Sequence, residues 1–215
     1  MVRRTKSEAM ETRTQILDAA ERVFQRDGVL SASLNDIATQ AGVTRGAIYW
    51  HFKNKHDLFM AMVERGRLLF EILSEKAEDP EEPDPLGRLA EFMTFLLQQV
   101  VNDPGQRRIF EIIFHKCEFS GDNLCLLGMQ REKCRESSRR LGQVLSNAIS
   151  REQLPGDLDV SRAAVWLHSQ LTGMIMYWLL DTECIDLAEE ANGFVETCLF
   201  SLAHSPSLRQ RPRSA

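Results

Sequence analysis

A short segment near the N-terminus combines a turn glycine, a helix-capping threonine and a run of basic and aromatic side chains. Gly42 lies where the chain must turn sharply, because glycine accepts a positive φ. Thr44 is then the predicted N-cap of a helix over residues 45–51. The preceding helix carries four small or apolar residues on one face: Leu34, Ile37, Ala38 and Ala41. With Ile37 and Ile48 filling the space between the two helices, the pattern predicts a helix-turn-helix.

The second of these helices directs its polar and aromatic residues outward. A helix of this kind can enter the major groove of DNA with its N-terminal side chains at base edges. Thr44 and Arg45 are therefore candidates for base and phosphate contacts, and Lys55 and the backbone N–H groups near Asn54 for phosphate. Two alternatives stay open, since Tyr49 can serve in packing alone and His51 can cap or pack between helices.

The same segment resembles the TetR family of transcriptional regulators. The resemblance lies in the Ile37-Ala38 pair, in the run from Ala41 through His51-Phe52 to Lys55, and in Asp57-Leu58-Phe59. It implies phosphate contacts by Tyr49 and His51 and a close approach of Gly46 to a base. The complete set predicted to contact DNA is Ser33, Thr44, Arg45, Gly46, Ala47, Tyr49, Trp50, His51 and Lys55.

Charge is distributed unevenly along the 215-residue chain, whose net charge is −5. Residues 1–56 hold nine Lys/Arg and six Asp/Glu, a net +3, so the remainder carries −8. A basic head on an acidic body fits phosphate binding confined to the head, although chance clustering gives the same count. Arg3, Arg4 and Lys6 form either a basic arm for the minor groove or a solvated terminus.

The cysteines and histidines give little support for other chemistry. Five cysteines, an odd number without a Cys-x-x-Cys pair, and a polar N-terminus without an apolar leader predict a cytoplasmic protein with reduced thiols. His115 and Cys117 lack further ligands at metal spacing, and a redox-sensing pair is similarly weak. Glu111 and His115 are four residues apart on one predicted helix, so we expect them to interact with each other within that helix. We therefore expect no cofactor, no metal, no catalytic residues and no enzyme activity.

Helical periodicity, with Gly and Pro at the breaks, predicts an all-α chain of nine helices. Beyond the helix-turn-helix, the expected helices are roughly 8–26, 54–77, 85–101, 106–118, 123–152, 159–180 and 186–204. An acidic, proline-rich surface loop spans 78–85. The predicted domains are a DNA-binding domain over 1–56, a ligand-binding and dimerisation domain over 57–205, and a disordered tail over 206–215.

The eighth helix is apolar on every side, so it must be buried on every side. Packing on its own domain and on a partner chain is the preferred interpretation, over a central core helix. A membrane span is disfavoured because Arg162, His168 and nearby polar residues interrupt it. Together with the ninth helix it predicts a homodimer without membrane contact, whose recognition helices lie about one duplex turn apart.

Apolar and aromatic residues with few polar neighbours mark the inward faces of helices five to eight, which is typical of a small-molecule pocket or of a filled core. Beyond the head, the chain resembles the AcrR and TtgR branch of the family, repressors of multidrug efflux operons, for example in Arg107-Arg108-Ile109 and His115-Lys116-Cys117. The positions that match that branch's ligand cavity are Leu89, Phe92, Met93, Leu96, Phe110, Phe114, Cys134, Ser137, Leu141, His168, Leu171 and Ile175. Phe110 and Phe114 replace polar groups, so the resemblance implies a less polar pocket.

The expected function is a ligand-responsive repressor that binds double-stranded operator DNA, regulates a multidrug efflux pump operon and is released by an apolar or amphipathic inducer. The first alternative is a regulator of a metabolic pathway with a narrow metabolite ligand. The second is a helical binding protein or enzyme that never binds DNA, against which the basic head and the Thr44–Lys55 segment argue.

Overall fold

The computed structural model describes residues 6–118 and 124–211, with the backbone alone at 67–75 and 124–125. Arg3 and Arg4 of the predicted basic arm lie outside these ranges. The described chain forms nine α-helices: α1 Lys6–Asp27, α2 Leu34–Ala41, α3 Arg45–His51, α4 Lys55–Glu78, α5 Pro85–Asn102, α6 Pro104–Glu111, α7 Leu124–Ser150, α8 Val160–Leu180 and α9 Leu187–His204. The predicted all-α fold class is confirmed.

The largest difference from the predicted helix bounds lies around α6. This helix begins at Pro104 rather than Gln106, because proline at a first helical position leaves no unmet N–H. Only Asp103 separates it from α5. After Glu111 the backbone widens into a π-helical turn over Ile112–Lys116, and it becomes extended at Cys117. The predicted single helix over 106–118 is therefore two segments of different winding.

The chain divides into two compact units, each with its own core. The first comprises Met1–Arg67 and Gly105–Gly128, and the second comprises Leu68–Pro104 and Met129–Ala215. In the first unit, α1 packs against α2, α3 and the π-helical turn. Ile112 and Leu126 join the hydrophobic core that α1–α4 build, at 0% and 2% exposure. Residues far from the N-terminus thus contribute to the core of the head.

In the second unit, α5 packs against α9 and α8, and α8 also contacts α9. One face of α8 is buried: Ala163, Ala164, Leu167, Leu171, Ile175 and Trp178. Its other apolar side chains are exposed: Val165, Met176, Tyr177 and Leu180. Helix α8 is therefore apolar on two opposite faces, only one of which its own unit covers. Along the described residues, no helix has the length and apolarity that a bilayer crossing requires.

The acidic loop between α4 and α5 is held by the C-terminal end of α7. Asn147 is 8% exposed and donates Nδ2 to the carbonyl oxygens of Glu78 at 3.1 Å and Asp79 at 3.3 Å. Asp84 caps α5 by accepting the Gly87 N–H at 2.9 Å and also accepts Gln153 Nε2 at 2.6 Å. These hydrogen bonds, first the one from Gly87 and then the one from Gln153, lower the pKa of Asp84.

The C-terminal segment is ordered where the sequence predicted a disordered tail, so that prediction is wrong for residues 206–211. Pro206–Leu208 forms a 3₁₀ turn, and Leu208 is 4% exposed. Its carbonyl accepts the Asp159 N–H at 2.8 Å, while Arg209 donates to the carbonyls of Leu202 and Ala203 at the end of α9. An apolar anchor followed by a cation at a helix C-terminus explains the order. Residues 212–215 lie outside the described ranges.

Candidate DNA-binding surface and regulatory site

The turn between α2 and α3 has the geometry that the sequence predicts. Ser33 Oγ accepts the Asp36 N–H at 3.2 Å, and Asp36 Oδ2 accepts the Ser33 N–H at 3.2 Å, which completes a capping box. Gly42 ends α2 in the left-handed region, with φ of 66° and its N–H directed at Ala38 and Thr39 carbonyls. The short turn fixes the direction in which α3 leaves.

Burial on one side sets the rotation of α3. Thr44 Oγ1 accepts the Ala47 N–H at 3.2 Å as the N-cap. Ile48 is fully buried against the core, as is Ile37 of α2, and Phe52 just beyond the helix is 3% exposed. With these apolar residues inward, the remaining side chains of α3 must project outward. The predicted capping role of Thr44 and the predicted packing of Ile37 and Ile48 are confirmed.

The outward face of α3 is polar and aromatic. Tyr49 is 49% exposed and Trp50 is 73% exposed, which is unusual for such large apolar groups. Arg45 Nη2 donates to the hydroxyl of Tyr49 at 3.1 Å, with the guanidinium 5.5 Å from the ring centroid. Trp50 and His51 meet edge to face, with ring centroids 4.6 Å apart. This face carries donors and stacking surfaces suited to a phosphate backbone and base edges.

The nine residues predicted to contact DNA differ in accessibility. Six are exposed: Ser33, Thr44, Arg45, Gly46, Tyr49 and Trp50. Ala47, His51 and Lys55 are partly buried. Lys55 has a role that the sequence did not indicate, because its Nζ donates to the carbonyls of Leu30 at 2.8 Å and Ala32 at 2.9 Å. Its ammonium group therefore anchors the segment that leads into α2.

The residues predicted to line a ligand pocket fall in both units. In the first unit, Phe110 and Phe114 stack with ring centroids 5.9 Å apart, and both are partly buried. In the second unit, five members are buried: Leu89, Met93, Leu96, Leu171 and Ile175. Phe92, Ser137, Leu141 and His168 are partly buried, and Cys134 is exposed. Burial lowers the pKa of His168, so its imidazole is neutral at physiological pH.

A cavity of about 360 Å³ is present in the second unit at the turn between α8 and α9. Its lining is Val101, Trp178, Thr182, Glu183, Ile185, Asp186 and Leu187. None of the twelve predicted pocket residues lines this cavity, so the predicted pocket stays a prediction. Over 6–118 and 124–211, no cluster of three His, Cys, Asp or Glu side chains is arranged to hold a metal ion.

The first unit also contains an ionic cluster that was not predicted from the sequence. Glu21 of α1 is 7% exposed and accepts a hydrogen bond from Arg65 of α4, and Arg108 of α6 approaches it at 3.8 Å. The helical period carried a signal for this, because Glu21 lies four residues after Leu17 and three before Phe24, both fully buried positions. A carboxylate on the core face of a helix needs a buried partner.

Comparison with known proteins identifies the class. Residues 16–62 match the family described as bacterial regulatory proteins, tetR family, and residues 84–204 match the C-terminal region of MAATS-type transcriptional repressors. The first range contains the whole α2–turn–α3 unit, and the second contains α5 through α9. The chain belongs to the TetR family of transcriptional regulators.

Relatives and solved structures agree over nearly the full length. The chain is 44% identical to the HTH-type transcriptional regulator TtgR of Pseudomonas putida, over 98% of this chain and 100% of the relative. It is 42% identical to AcrR of Shigella flexneri, over 97% of both. The structure of SmeT with triclosan superposes with a TM-score of 0.83 at 30% identity, covering 95% of this chain and 96% of SmeT. NalD, a secondary repressor of the MexAB-OprM multidrug efflux pump in Pseudomonas aeruginosa, gives 0.82 at 31% identity, covering 92% and 99%.

Proposed function

We propose that this chain represses a multidrug efflux pump operon and is released from its operator by apolar or amphipathic small molecules. The observation that carries the proposal is the exposed polar and aromatic face of α3, held by the buried Ile48. Relatives named as efflux repressors, among them NalD, supply the class of target gene. The DNA-binding part is residues 1–56, and the regulatory part is residues 57–205.

The DNA contacts of this proposal follow from accessibility. Arg45, one residue after the N-cap, is in reach of base edges when α3 lies in the major groove. Tyr49, Trp50 and the exposed hydroxyls of Ser33 and Thr44 suit phosphate and sugar contacts, which fix register without reading sequence. Lys55 supports the surface by holding the carbonyls that precede α2 and adds positive charge beside it.

The proposal assigns ligand binding to the twelve predicted residues, among which Phe110 and Phe114 supply aromatic surface. SmeT binds triclosan, a small apolar phenol, and this supports the same ligand class for a chain with a similar fold. Many apolar residues with few polar groups favour binding by hydrophobic area rather than by fixed hydrogen bonds. Several unrelated apolar compounds should therefore bind with modest affinity.

The proposed oligomer is a homodimer that forms through the exposed apolar side chains of α8 and α9. These are Val165, Met176, Tyr177, Leu180 and Phe200, with exposures of 43% to 67%. Such a set on adjoining helices marks an interface, and a second copy suits it because a two-fold axis pairs two α3 helices on a pseudo-palindromic operator. Leu187, at the start of α9, is 1% exposed and belongs to the core of its own unit instead.

The experiment is footprinting on the DNA upstream of the protein's own gene, with and without a panel of chemically diverse drugs that includes triclosan. We expect protection of a pseudo-palindromic site that is lost as drug is added, since drug and DNA binding oppose each other by linkage. Phe114→Trp should blunt release while protection without drug persists. Absence of any protected site would overturn DNA binding, and release by a narrow metabolite alone would favour a metabolic regulator.

A further inference from the structure

A buried carboxylate on α1 lies between arginines from two other helices. Glu21 accepts a hydrogen bond through Oε1 from Nη2 of Arg65, which belongs to α4. Nη1 of the same guanidinium donates to Asp18 Oδ1 at 2.7 Å. Arg65 therefore joins two carboxylates that lie one turn apart on α1, and it fixes the middle of α4 to the helix that supports α2 and α3.

The second oxygen of Glu21 faces Arg108 of α6, but this contact is incomplete. Arg108 Nε lies 3.8 Å from Glu21 Oε2, beyond hydrogen-bond reach. The same nitrogen is buried and has no hydrogen-bond partner among the residues that the structure describes. A buried donor left without a partner is costly, so a shift of α6 by roughly 1 Å toward α1 would gain a charge-assisted bond.

Helix α6 also packs closely against α4 beside this cluster. Gln106 is 7% exposed and donates Nε2 to the carbonyl of Gly66 at 3.1 Å. A Cβ added at Gly66, the residue after Arg65, would lie 2.8 Å from Ile109 Cδ1. The two helices are therefore close at this point, and Arg65 and Arg108 reach Glu21 from adjoining turns of α4 and α6.

The C-terminal end of α6 and the π-helical turn after it form hydrogen bonds with α1 and with the turn that follows α1. Val29 N donates to the Lys116 carbonyl at 2.9 Å, and Gln25 Nε2 donates to Glu111 Oε2 at 2.7 Å. Ile112 is fully buried in the same core. Helix α6 and the π-helical turn therefore contact α1 and the turn before α2 along their length. A displacement of α6 would consequently move α1 and the residues that lead into α2.

We propose that Glu21 is the shared acceptor of a two-state relay, in which its bond to Arg108 is open in the operator-binding state and closed in the ligand-bound state. The proposal rests on the function inferred above, with Phe110 of α6 and Phe114 of the π-helical turn in contact with ligand. Ligand shifts α6, Arg108 takes Oε2, and the hold of Arg65 on Oε1 weakens as the carboxylate turns. Helix α4 then moves on α1, and the two α3 helices no longer match successive grooves. Glu21, Arg65 and Arg108 are positioning residues that contact neither DNA nor ligand.

The test compares Arg108→Met, which removes the relay donor, with Arg107→Met, which removes the same charge one residue away. Operator affinity is measured without ligand, and the half-release concentration is measured with the panel compound that acts on wild type at the lowest concentration, triclosan included. Arg108→Met should leave operator affinity within about twofold and raise the half-release concentration about fivefold or more, in the range of ordinary coupling factors. Arg107→Met should change neither quantity.

Two further variants separate a relay from a merely structural role. Arg108→Lys keeps a cation within reach of Glu21 and should restore release. Glu21→Gln combined with Arg108→Met should raise the half-release concentration no more than Arg108→Met alone, because both act on one bond. If wild type binds its operator but no compound releases it, the proposed function and the relay both fail. If wild type responds and Arg108→Met responds equally, or if Arg108→Met loses operator affinity fivefold, the relay alone is overturned.

Discussion

The guanidinium of Arg45 lies over the ring of Tyr49, 5.5 Å from its centroid, and donates to the Tyr49 hydroxyl at 3.1 Å. The two residues are one helical turn apart on α3, and both are exposed. A solvent-exposed cation–π contact of this kind is worth only about 0.5–1 kcal/mol. The contact with Tyr49 instead orients the Arg45 side chain before DNA binds. This orientation reduces the side-chain entropy that is lost on binding.

Replacing Arg45 by Ala should weaken sequence-specific binding, since one good base contact is worth about 1–3 kcal/mol of discrimination. Tyr49→Phe keeps the ring and removes the hydroxyl, so we expect a smaller loss. Affinity for operator and for scrambled duplex, each measured by fluorescence anisotropy, checks both. Arg26→Ala is the matched control, because Arg26 pairs with Asp27 at 2.7 Å at the end of α1. Equal operator affinity in Arg45→Ala and Arg26→Ala would show that Arg45 of α3 does not contact the bases.

Lys55→Met should lower both operator affinity and the stability of the head. Two backbone carbonyls lose their ammonium donor, at a cost of about 1–3 kcal/mol, and nearby phosphate loses a positive charge. Lys53→Met serves as control, since Lys53 is exposed and its side chain carries the same charge two residues away. Hydrogen exchange of the amides at residues 29–34 should accelerate in Lys55→Met alone. Unchanged exchange there would mean that the two carbonyl contacts do not stabilise this segment.

Met176→Glu should dissociate the dimer and leave the fold intact. Met176 is 43% exposed on the uncovered face of α8, so a carboxylate there costs little in the monomer and much in an apolar interface. Met129→Glu is the control, because Met129 is 39% exposed on α7. Sedimentation velocity at micromolar concentration should give a monomer for Met176→Glu and a dimer for Met129→Glu. A dimer in both would exclude this face of α8 from the interface.

The free energy of unfolding should fall as the pH drops below the ordinary histidine pKa, in part because of His168. Burial lowers the pKa of His168 in the folded state, so the unfolded chain binds the proton more readily. This contribution is complete above the unfolded pKa of about 6.5 and is lost as pH falls toward the folded value. Urea melts from pH 7.5 to 5.5 should give a flatter profile for His168→Gln. Parallel profiles for the two proteins would contradict the effect.

Thiol-reactive reagents should modify Cys134 and Cys184 well before Cys117 and Cys198. Burial raises the pKa of Cys117 to about 11 and that of Cys198 to about 11, so their reactive thiolate forms are scarce at neutral pH. Cys134 and Cys184 are exposed. Peptide mass spectrometry after brief iodoacetamide treatment at pH 7.5 gives the order. Fast labelling of Cys198 in the native protein would indicate that α9 opens readily.

The helix-turn-helix could be predicted residue by residue because local backbone chemistry determines it. Gly42 takes a positive φ, Thr44 caps the helix that follows it, and Ile48 faces inward, all as expected from neighbours within four positions. Such preferences act over one or two turns of chain, so they are readable from spacing and residue type alone. The same reasoning predicted all nine helices over the described residues.

Tertiary structure decided what depends on partners far away in the chain. Lys55 points to carbonyls 25 and 23 residues earlier rather than to solvent, and Glu21 is buried because Arg65 approaches from 44 residues on. The apolar pattern of α8 could not say which face its own unit covers, because every side of that helix carries apolar residues. Periodicity reports which side chains prefer burial, whereas the choice of partner is a property of packing between helices, and no local pattern encodes it.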